Sequence, residues 1–183
     1  MAFDRDDVLR AAAELLTRRA TATMEEVARA AGVSRATLNR HFAGRDALVR
    51  ALEDLGIAEC EAALDAARVE EGAAVDAVRR LVREAESCAG LLAFLYSESQ
   101  LFEGEERHAG WARIDERLTG LFRRGQESGE FRIDLSAAWL TEALYGLLAA
   151  GSYAVTEGRA ARNGFVHMVV ELLLGGAIRR NAS

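Results

Sequence analysis

The spacing of apolar residues along the chain predicts helices almost throughout. Between Val8 and Leu16 they recur every three or four positions, the period of a helix with one buried face, so a first helix is expected from about Asp4 to Arg19. The same period resumes at Arg45 in a long helix. Further helices are predicted at residues 73–88, 89–101, 106–124, 136–157 and 159–180.

One short segment departs from this helical period. Phe131, Ile133 and Leu135 alternate with other residues as in a strand, but the sequence offers no second strand to pair with them. We therefore expect an extended connection packed on the core. The predicted fold class is all-α with about nine helices, since the chain contains no proline to interrupt them.

Residues 23–42 contain the start and stop signals of two short helices joined by a turn. Thr23 and Glu26 have the spacing of a capping box, which satisfies the first amides of a helix. Gly32 can take the left-handed conformation that ends a helix, and Ser34 can cap the next one. This arrangement is a helix-turn-helix whose second helix has an outward polar face.

Charge is distributed unevenly, although the whole chain carries −6. Residues 1–50 contain nine Arg and seven acidic residues, whereas residues 51–183 contain fourteen Arg and twenty-two acidic residues. Within residues 29–50, five Arg stand against Asp46 alone. Because salt screens charges beyond about 8 to 10 Å, a DNA backbone would respond to this basic patch and not to the total. The alternative is that these arginines only solvate a helix face.

Taken with its flanks, the helix-turn-helix segment resembles the TetR family of bacterial transcriptional regulators. The matching elements are VLRAAAELL, EVARAAGVSRATL, and RHF followed by GRDAL, in that order. The resemblance implies a three-helix DNA-binding module at residues 1–50. It also implies a helical domain at residues 51–183 that binds a small-molecule effector and forms a homodimer.

Three features depart from the family pattern. Asn39 stands where the family most often has a tyrosine that contacts the DNA backbone, and its amide could bond an adenine edge instead. Ala20 replaces the usual glycine after the first helix, and the loop up to Thr23 looks short. Arg45 replaces a lysine at the start of the fourth helix, and its planar guanidinium suits a phosphate.

The helix from Ser34 to Phe42 is expected to enter the major groove of double-stranded DNA, which admits a helix and distinguishes every base pair. Arg35 would bond a guanine or a phosphate, and Thr37 a phosphate or a thymine methyl group. Thr23 and Arg45, at helix amino ends, would anchor phosphates. The full set of predicted DNA-binding residues is Thr23, Ser34, Arg35, Thr37, Asn39, Arg40, His41 and Arg45.

Aromatic residues beyond the first domain could line the effector pocket that the resemblance implies. Their rings accept apolar ligands, and tyrosine hydroxyls can orient them. For each residue taken singly, ordinary core packing is the alternative. The candidate lining residues are Phe94, Tyr96, Phe102, Trp111, Phe122, Trp139, Tyr145 and Tyr153.

The last two predicted helices have the composition of an oligomer interface. Small residues between Ala143 and Gly151 could allow close helix approach, and the final helix is apolar on more than one face between Val166 and Leu174. Burial inside a single chain is the alternative. A homodimer is preferred because twofold symmetry matches a palindromic operator, and the resemblance points to the same two helices.

Other classes of protein are disfavoured by what the sequence lacks. Cys60 and Cys88 are too few for a disulfide framework and lack metal-site spacing, which fits a reduced cytoplasm. No signal peptide is recognisable, and no run approaches the roughly 20 apolar residues that span a membrane. His41, His108 and His167 are scattered, so we expect no enzyme, cofactor or metal site.

Two alternatives remain open for the function. The first is a helical ligand-binding or interaction protein whose DNA binding is weakened, which the unusual Asn39 favours slightly. The second is a transcriptional activator of the same fold, because the sequence does not distinguish repression from activation. Repression is the family's usual mode, and a ligand-responsive repressor is the function we expect.

Overall fold

The structure, a computed structural model, describes residues 4–98 and 109–178. Within these residues the chain forms nine α-helices and a single isolated β-bridge, which confirms the all-α prediction. The helices are α1 (Arg5–Arg18), α2 (Met24–Ala30), α3 (Arg35–His41), α4 (Arg45–Ala67), α5 (Ala74–Glu84), α6 (Ala89–Glu98), α7 (Ala109–Glu127), α8 (Ala137–Thr156) and α9 (Phe165–Ala177), with one 3-10 turn at Arg162–Gly164.

The chain divides into two compact units. Of the described residues, the first unit comprises 4–58 and 90–98, and so holds α1, α2, α3, part of α4 and most of α6. The second unit comprises 59–89 and 109–178. Since the division falls inside α4, it does not test whether residues 1–50 are a domain of their own, and that boundary stays a prediction.

The first unit has an apolar centre to which α1, α2, α3 and the start of α4 contribute. Its buried side chains include Leu9, Leu16, Val27, Leu38, Phe42, Leu48 and Leu52. Burying one such side chain stabilises the folded state by about 1.5 to 3 kcal/mol relative to leaving it exposed. Leu38 is the buried residue of α3, and Phe42 follows at its end, so these two side chains decide which face of α3 points inward.

Within the same unit, α4 and α6 come close together at Gly56. A Cβ atom at this position would lie 2.5 Å from Cδ1 of Leu95 and 3.7 Å from Cδ2 of Leu91. A larger side chain would therefore push the two leucines aside, and glycine sets the distance between the helices.

In the second unit, α7 packs on α8, α8 packs on α9, and α5 packs on both α7 and α9. Phe131 is fully buried beside Gly125 of α7, where any Cβ atom would collide with its ring. The amide of Phe131 donates to the carbonyl of Gly125 at 2.9 Å, and the residue forms an antiparallel bridge with Ile178. The expected extended connection is confirmed at Phe131, whereas Ile133 is 82% exposed.

The last helix begins later than predicted, at Phe165 and not near residue 159. Gly158, with φ of +67°, ends α8, and the amides of Arg159 and Ala160 then both donate to the carbonyl of Ala154. The chain therefore wraps around the end of α8 before a new helix can start. Periodicity could not reveal this turn, because it reports apolar spacing and not backbone bonding.

Part of the predicted oligomer interface is used inside the single chain. Val169, Val170, Leu173 and Leu174 of α9 are at most 7% exposed within one protomer. On α8, a Cβ atom at Gly151 would lie 2.9 Å from Cε2 of Phe165, so this glycine serves the contact between α8 and α9. Packing within the chain therefore covers these residues, and the assignment of the dimer contact to the last two helices stays a prediction.

Candidate nucleic-acid interface and effector site

Side-chain caps fix the start of α2, as the sequence predicted. The hydroxyl of Thr23 accepts from the amide of Glu26 at 3.3 Å, and the carboxylate of Glu26 accepts from the amide of Thr23 at 2.8 Å. Arg19 pairs with the same carboxylate. The bond from the Thr23 amide is the main cause that holds the pKa of Glu26 below its ordinary value, so the cap is charged at neutral pH.

The turn between α2 and α3 also follows the predicted chemistry. Gly32 has a φ of +67°, and the amide of Val33 closes the end of α2 by donating to the carbonyl of Ala28 at 3.0 Å. Ser34 then caps α3 by accepting from the amide of Thr37 at 3.0 Å. These bonds place the start of α3 directly after the end of α2.

α3 presents a polar, cationic face to solvent. Leu38 and Phe42 are at most 1% exposed and occupy the inner face. Most of the predicted DNA-binding residues lie together on the other face or at the start of the helix. Arg35, Asn39, Arg40 and His41 are exposed, Thr37 is half-buried, and Ser34 is the exposed cap. No acidic residue occurs from residue 27 to residue 45, so nothing on this segment opposes a phosphate.

The side chain of Arg45 is engaged within the protein. It is the first residue of α4, and its guanidinium bonds the loop before α2. Nη1 donates to the carbonyl of Ala22 at 3.1 Å, and Nη2 donates to the carbonyl of Ala20 at 2.6 Å. Sequence reasoning did not foresee these bonds, because they join residues more than twenty positions apart.

The aromatic residues predicted to line an effector pocket lie in dissimilar surroundings. Phe94 and Tyr96 belong to the first unit, where Phe94 is buried and Tyr96 is 54% exposed, while Phe102 lies outside the described residues. Phe122 is fully buried in the second unit, with its ring centroid 5.6 Å from that of Phe131. The remaining members are Trp111 and Tyr145, which are half-buried, and Trp139 and Tyr153, which are 59% and 58% exposed.

Two members of the aromatic set lie near a carboxylate in the second unit. The hydroxyl of Tyr145 on α8 donates to Oδ1 of Asp115 on α7 at 2.8 Å, in a partly buried position. Trp111 stands one helical turn before Asp115, and all three residues are half-buried. Asp115 is not among the predicted residues, and its one signal in the sequence is its spacing of four from a tryptophan.

Ion pairs position α7, the helix that carries Trp111 and Asp115. Arg113 binds Glu61 at 2.8 Å, and Arg117 binds Asp65 at 2.8 Å, both on the carboxyl-terminal part of α4. Arg117 also binds Glu70 at 2.7 Å, and this bond is the main cause of the raised pKa of Arg117 and the lowered pKa of Glu70. A connected set of pairs fixes helix register better than one exposed pair does.

The described residues include no helix with the length and hydropathy that crossing a membrane demands. Across residues 4–98 and 109–178, no three His, Cys, Asp or Glu side chains are grouped so that they could hold a metal ion.

A helix-turn-helix with a cationic outer face defines a class of DNA-binding transcriptional regulators, and comparison with known proteins agrees. The sequence model of bacterial regulatory proteins, tetR family, matches residues 8–52, which contain most of α1, all of α2 and α3, and the start of α4. HTH-type transcriptional regulator NfxB of Pseudomonas aeruginosa is 36% identical over 172 residues, covering 93% of this chain and 92% of that protein. HTH-type transcriptional repressor LfrR of Mycolicibacterium smegmatis is 28% identical, covering 95% and 90%.

Solved structures extend the similarity over both units. The structure of the TetR-like regulator LfrR from Mycobacterium smegmatis in complex with proflavine has a TM-score of 0.79 at 26% identity, covering 96% of this chain and 97% of that one. The TetR family regulator PfmR from Thermus thermophilus has a TM-score of 0.70 at 25% identity, covering 96% and 100%. The chain belongs to the TetR family and is a ligand-responsive, DNA-binding transcriptional regulator.

Proposed function

We propose that the chain represses transcription as a homodimer that places α3 of each subunit in successive major grooves of a palindromic operator. The exposed cationic face of α3 is the observation that carries the proposal. An α-helix fits the major groove, and twofold symmetry would set the two copies about 34 Å apart, one turn of DNA. Such action belongs in the bacterial cytoplasm, where the DNA is.

Individual contacts follow from where each residue lies on α2 and α3. Arg35 and Asn39, one helical turn apart and both exposed, are assigned to base edges, for which guanidinium and amide groups offer paired bonds. Thr23 and Ser34 stand at the starts of α2 and α3 and are assigned to the phosphate backbone. Thr37, Arg40 and His41 complete the proposed contact set with the backbone or neighbouring bases.

The dimer is assigned to the faces of α8 and α9 that the protomer leaves uncovered. One exposed face of α8 carries residues spaced by seven, four and three positions, namely Trp139, Gly146, Ala150 and Tyr153. Leu172 of α9 is 67% exposed, whereas Leu173 and Leu174 directly after it are buried. Two aromatic side chains beside small residues suit close packing with a second copy.

We infer that the effector class is a planar aromatic cation. Asp115, bonded by Tyr145 and one turn from Trp111, supplies a half-buried negative charge beside aromatic surface. LfrR, which is similar over nearly the whole chain, has been solved in complex with proflavine, a flat cationic molecule. Effector binding would favour a conformer whose two α3 helices no longer match successive grooves, and the operator would be released.

Selection of duplexes from a random DNA pool, followed by binding titrations at rising salt, tests the DNA-binding part. We expect an enriched palindrome and an affinity that falls steeply, since each phosphate contact adds about 0.9 to the slope of log K against log salt. Enrichment of no duplex would favour the alternative of an interaction protein. A reporter gene behind the selected palindrome separates repression from activation.

Proflavine fluorescence tests the effector part. The change Asp115→Asn keeps an acceptor for Tyr145 but removes the charge, so proflavine affinity should fall by about tenfold, or roughly 1 to 2 kcal/mol. Glu116→Gln is the matched control, because Glu116 is the next residue on α7 and is exposed. Equal affinities of the two variants would remove Asp115 from the site.

A further inference from the structure

The loop between α1 and α2 is held by polar bonds at both ends. Its first residue, Arg19, pairs with Glu26, and the Ala22 amide donates to the Arg19 carbonyl at 2.9 Å. Ala22 is 2% exposed and packs into the first unit, while Ala20 is exposed. The carbonyls of Ala20 and Ala22 both accept hydrogen bonds from a side chain that follows the helix-turn-helix.

Arg45 supplies those bonds from the first position of α4. A cation at the amino end of a helix is disfavoured by the helix dipole unless acceptors lie close to it. Here the two carbonyl oxygens lie 3.1 Å and 2.6 Å from Nη1 and Nη2. The guanidinium presents its donors as a rigid fork, which a lysine ammonium cannot reproduce.

These bonds connect the two ends of the helix-turn-helix, the start of α2 and the start of α4, to each other. Thr23, the cap of α2, directly follows the acceptor Ala22, and α3 ends just before Arg45. The whole helix-turn-helix therefore lies between the acceptor and the donor of one hydrogen bond, 23 residues apart. Because α3 is only seven residues long and buries Leu38 alone, its direction depends on how these ends are held.

We propose that Arg45 is a positioning residue that sets the direction of α3 by joining the starts of α2 and α4, and that it is not a phosphate anchor. The proposal rests on the assignment of α3 as the reading helix. Both terminal nitrogens of Arg45 bond backbone carbonyls, and these bonds turn the guanidinium toward the loop before α2. The short loop between α1 and α2, which begins at Arg19, is thus held in shape by a residue beyond α3.

The test compares Arg45→Met and Arg45→Lys with wild type, using the duplex that wild type selects and a scrambled duplex of the same composition. Positioning predicts that Arg45→Met binds the selected duplex at least about fivefold more weakly, with an unchanged salt slope and unchanged affinity for the scrambled duplex. If Arg45 were a phosphate anchor, Arg45→Met would reduce the slope of log K against log salt by about 0.9 and would lower the affinity for both duplexes equally, and this result would overturn the proposal. Arg162→Met, an exposed site in the second unit, controls for the change in total charge.

Arg45→Lys keeps the charge and remains informative if Arg45→Met does not fold. Because lysine lacks the paired donors of the guanidinium, Arg45→Lys should bind the selected duplex more weakly than wild type does. Its salt slope and its affinity for the scrambled duplex should be unchanged. Binding like wild type would mean that charge alone is needed and would contradict positioning.

Hydrogen exchange on the DNA-free protein separates this proposal from the function on which it rests. If Arg45 holds the loop, amides at residues 20–26 should exchange at least about fivefold faster in either variant, while those of α9 stay unchanged. Unchanged exchange throughout would refute the claim that Arg45 holds this loop, whether or not any duplex is ever selected. Faster exchange together with undiminished operator affinity would make Arg45 structural only, and that too would overturn the proposal.

Discussion

α3 and α9 are held in place by different means. α3 has seven residues and buries Leu38, with Phe42 buried at its end, so its position also depends on caps, a glycine turn and the bonds of Arg45. α9 has thirteen residues and buries six of them, so it is held mainly by apolar packing. A helix held by few buried contacts can keep its outer face polar and available, whereas a helix held by a large buried surface gives many of its side chains to the core.

This contrast predicts that the largest losses of stability come from the second unit. Phe131→Ala removes a fully buried ring beside Gly125, and we expect the free energy of unfolding to fall by about 3 to 5 kcal/mol. Urea denaturation measures the loss. Ile133→Ala, two residues on and 82% exposed, should change stability by less than about 0.5 kcal/mol. Similar losses of unfolding free energy in both variants would contradict the view that buried apolar packing holds the second unit together.

A second prediction concerns the uncovered face of the second unit. A Cβ atom at Gly146 would meet no atom within 4 Å, so Gly146→Arg should fold normally yet place a charge on the proposed dimer surface. Sedimentation should show a shift from dimer to monomer, with a dimer affinity lower by at least about 100-fold, or roughly 3 kcal/mol. Gly120→Arg on α7, which also has open space, is the control. Persistence of the dimer would exclude this face of α8.

Arg35→Ala tests the opposite property in the first unit, an effect on binding without an effect on folding. The side chain is exposed on α3, so unfolding should be unchanged, while operator affinity falls by about 1 to 3 kcal/mol if Arg35 reads a base. Binding titrations on the selected duplex measure this. The same change at Arg162 should leave affinity intact. Undiminished binding would remove Arg35 from the contact set.

The smallest expected effect concerns Glu130, which caps α5 as Glu26 caps α2. Burial opposes its ionisation, but the amides of Val75 and Ala74, donating at 3.0 and 3.1 Å, outweigh burial and lower its pKa from the ordinary 4.5. Since the folded pKa is the lower one, this stabilisation is complete above pH 4.5 and is lost as pH falls through the folded pKa. Glu130→Gln should cost about 1 kcal/mol at pH 7.

Unfolding measured at pH 7 and at pH 3 checks the sign of the Glu130 effect. The difference between wild type and Glu130→Gln should shrink in acid, because the wild-type carboxylate then takes up a proton and its advantage disappears. A difference that grows in acid would contradict the lowered pKa. The exposed Glu127→Gln serves as the reference substitution.

The two regions also differ in how much of them the sequence alone could predict. The capping box of Thr23 and Glu26, the turn at Gly32 and the cap at Ser34 were all predicted and confirmed, because each involves neighbours in sequence. The family resemblance, confirmed by the relatives, supplied the fold and the class of function. Local chemistry is specified by spacing, and spacing can be read from a sequence.

What the sequence could not predict depends on residues far apart in the chain. The bonds of Arg45 to Ala20 and Ala22, the capping of α5 by Glu130, and the bond of Tyr145 to Asp115 join positions separated by 23 to 56 residues. The apolar α9 was predicted to be buried, but composition did not say whether its own chain or a second one buries it. Such contacts follow from the packing of whole helices, not from spacing.

Methylation protection on the selected operator tests the central claim most directly, because dimethyl sulfate modifies guanine N7 in the major groove and adenine N3 in the minor groove. If α3 of each subunit reads the major groove, wild type should protect guanines in two clusters about 10 base pairs apart, and Arg35→Ala should lose protection symmetrically in both. Protection confined to adenines, or identical patterns for wild type and variant, would contradict this account of how the chain recognises DNA.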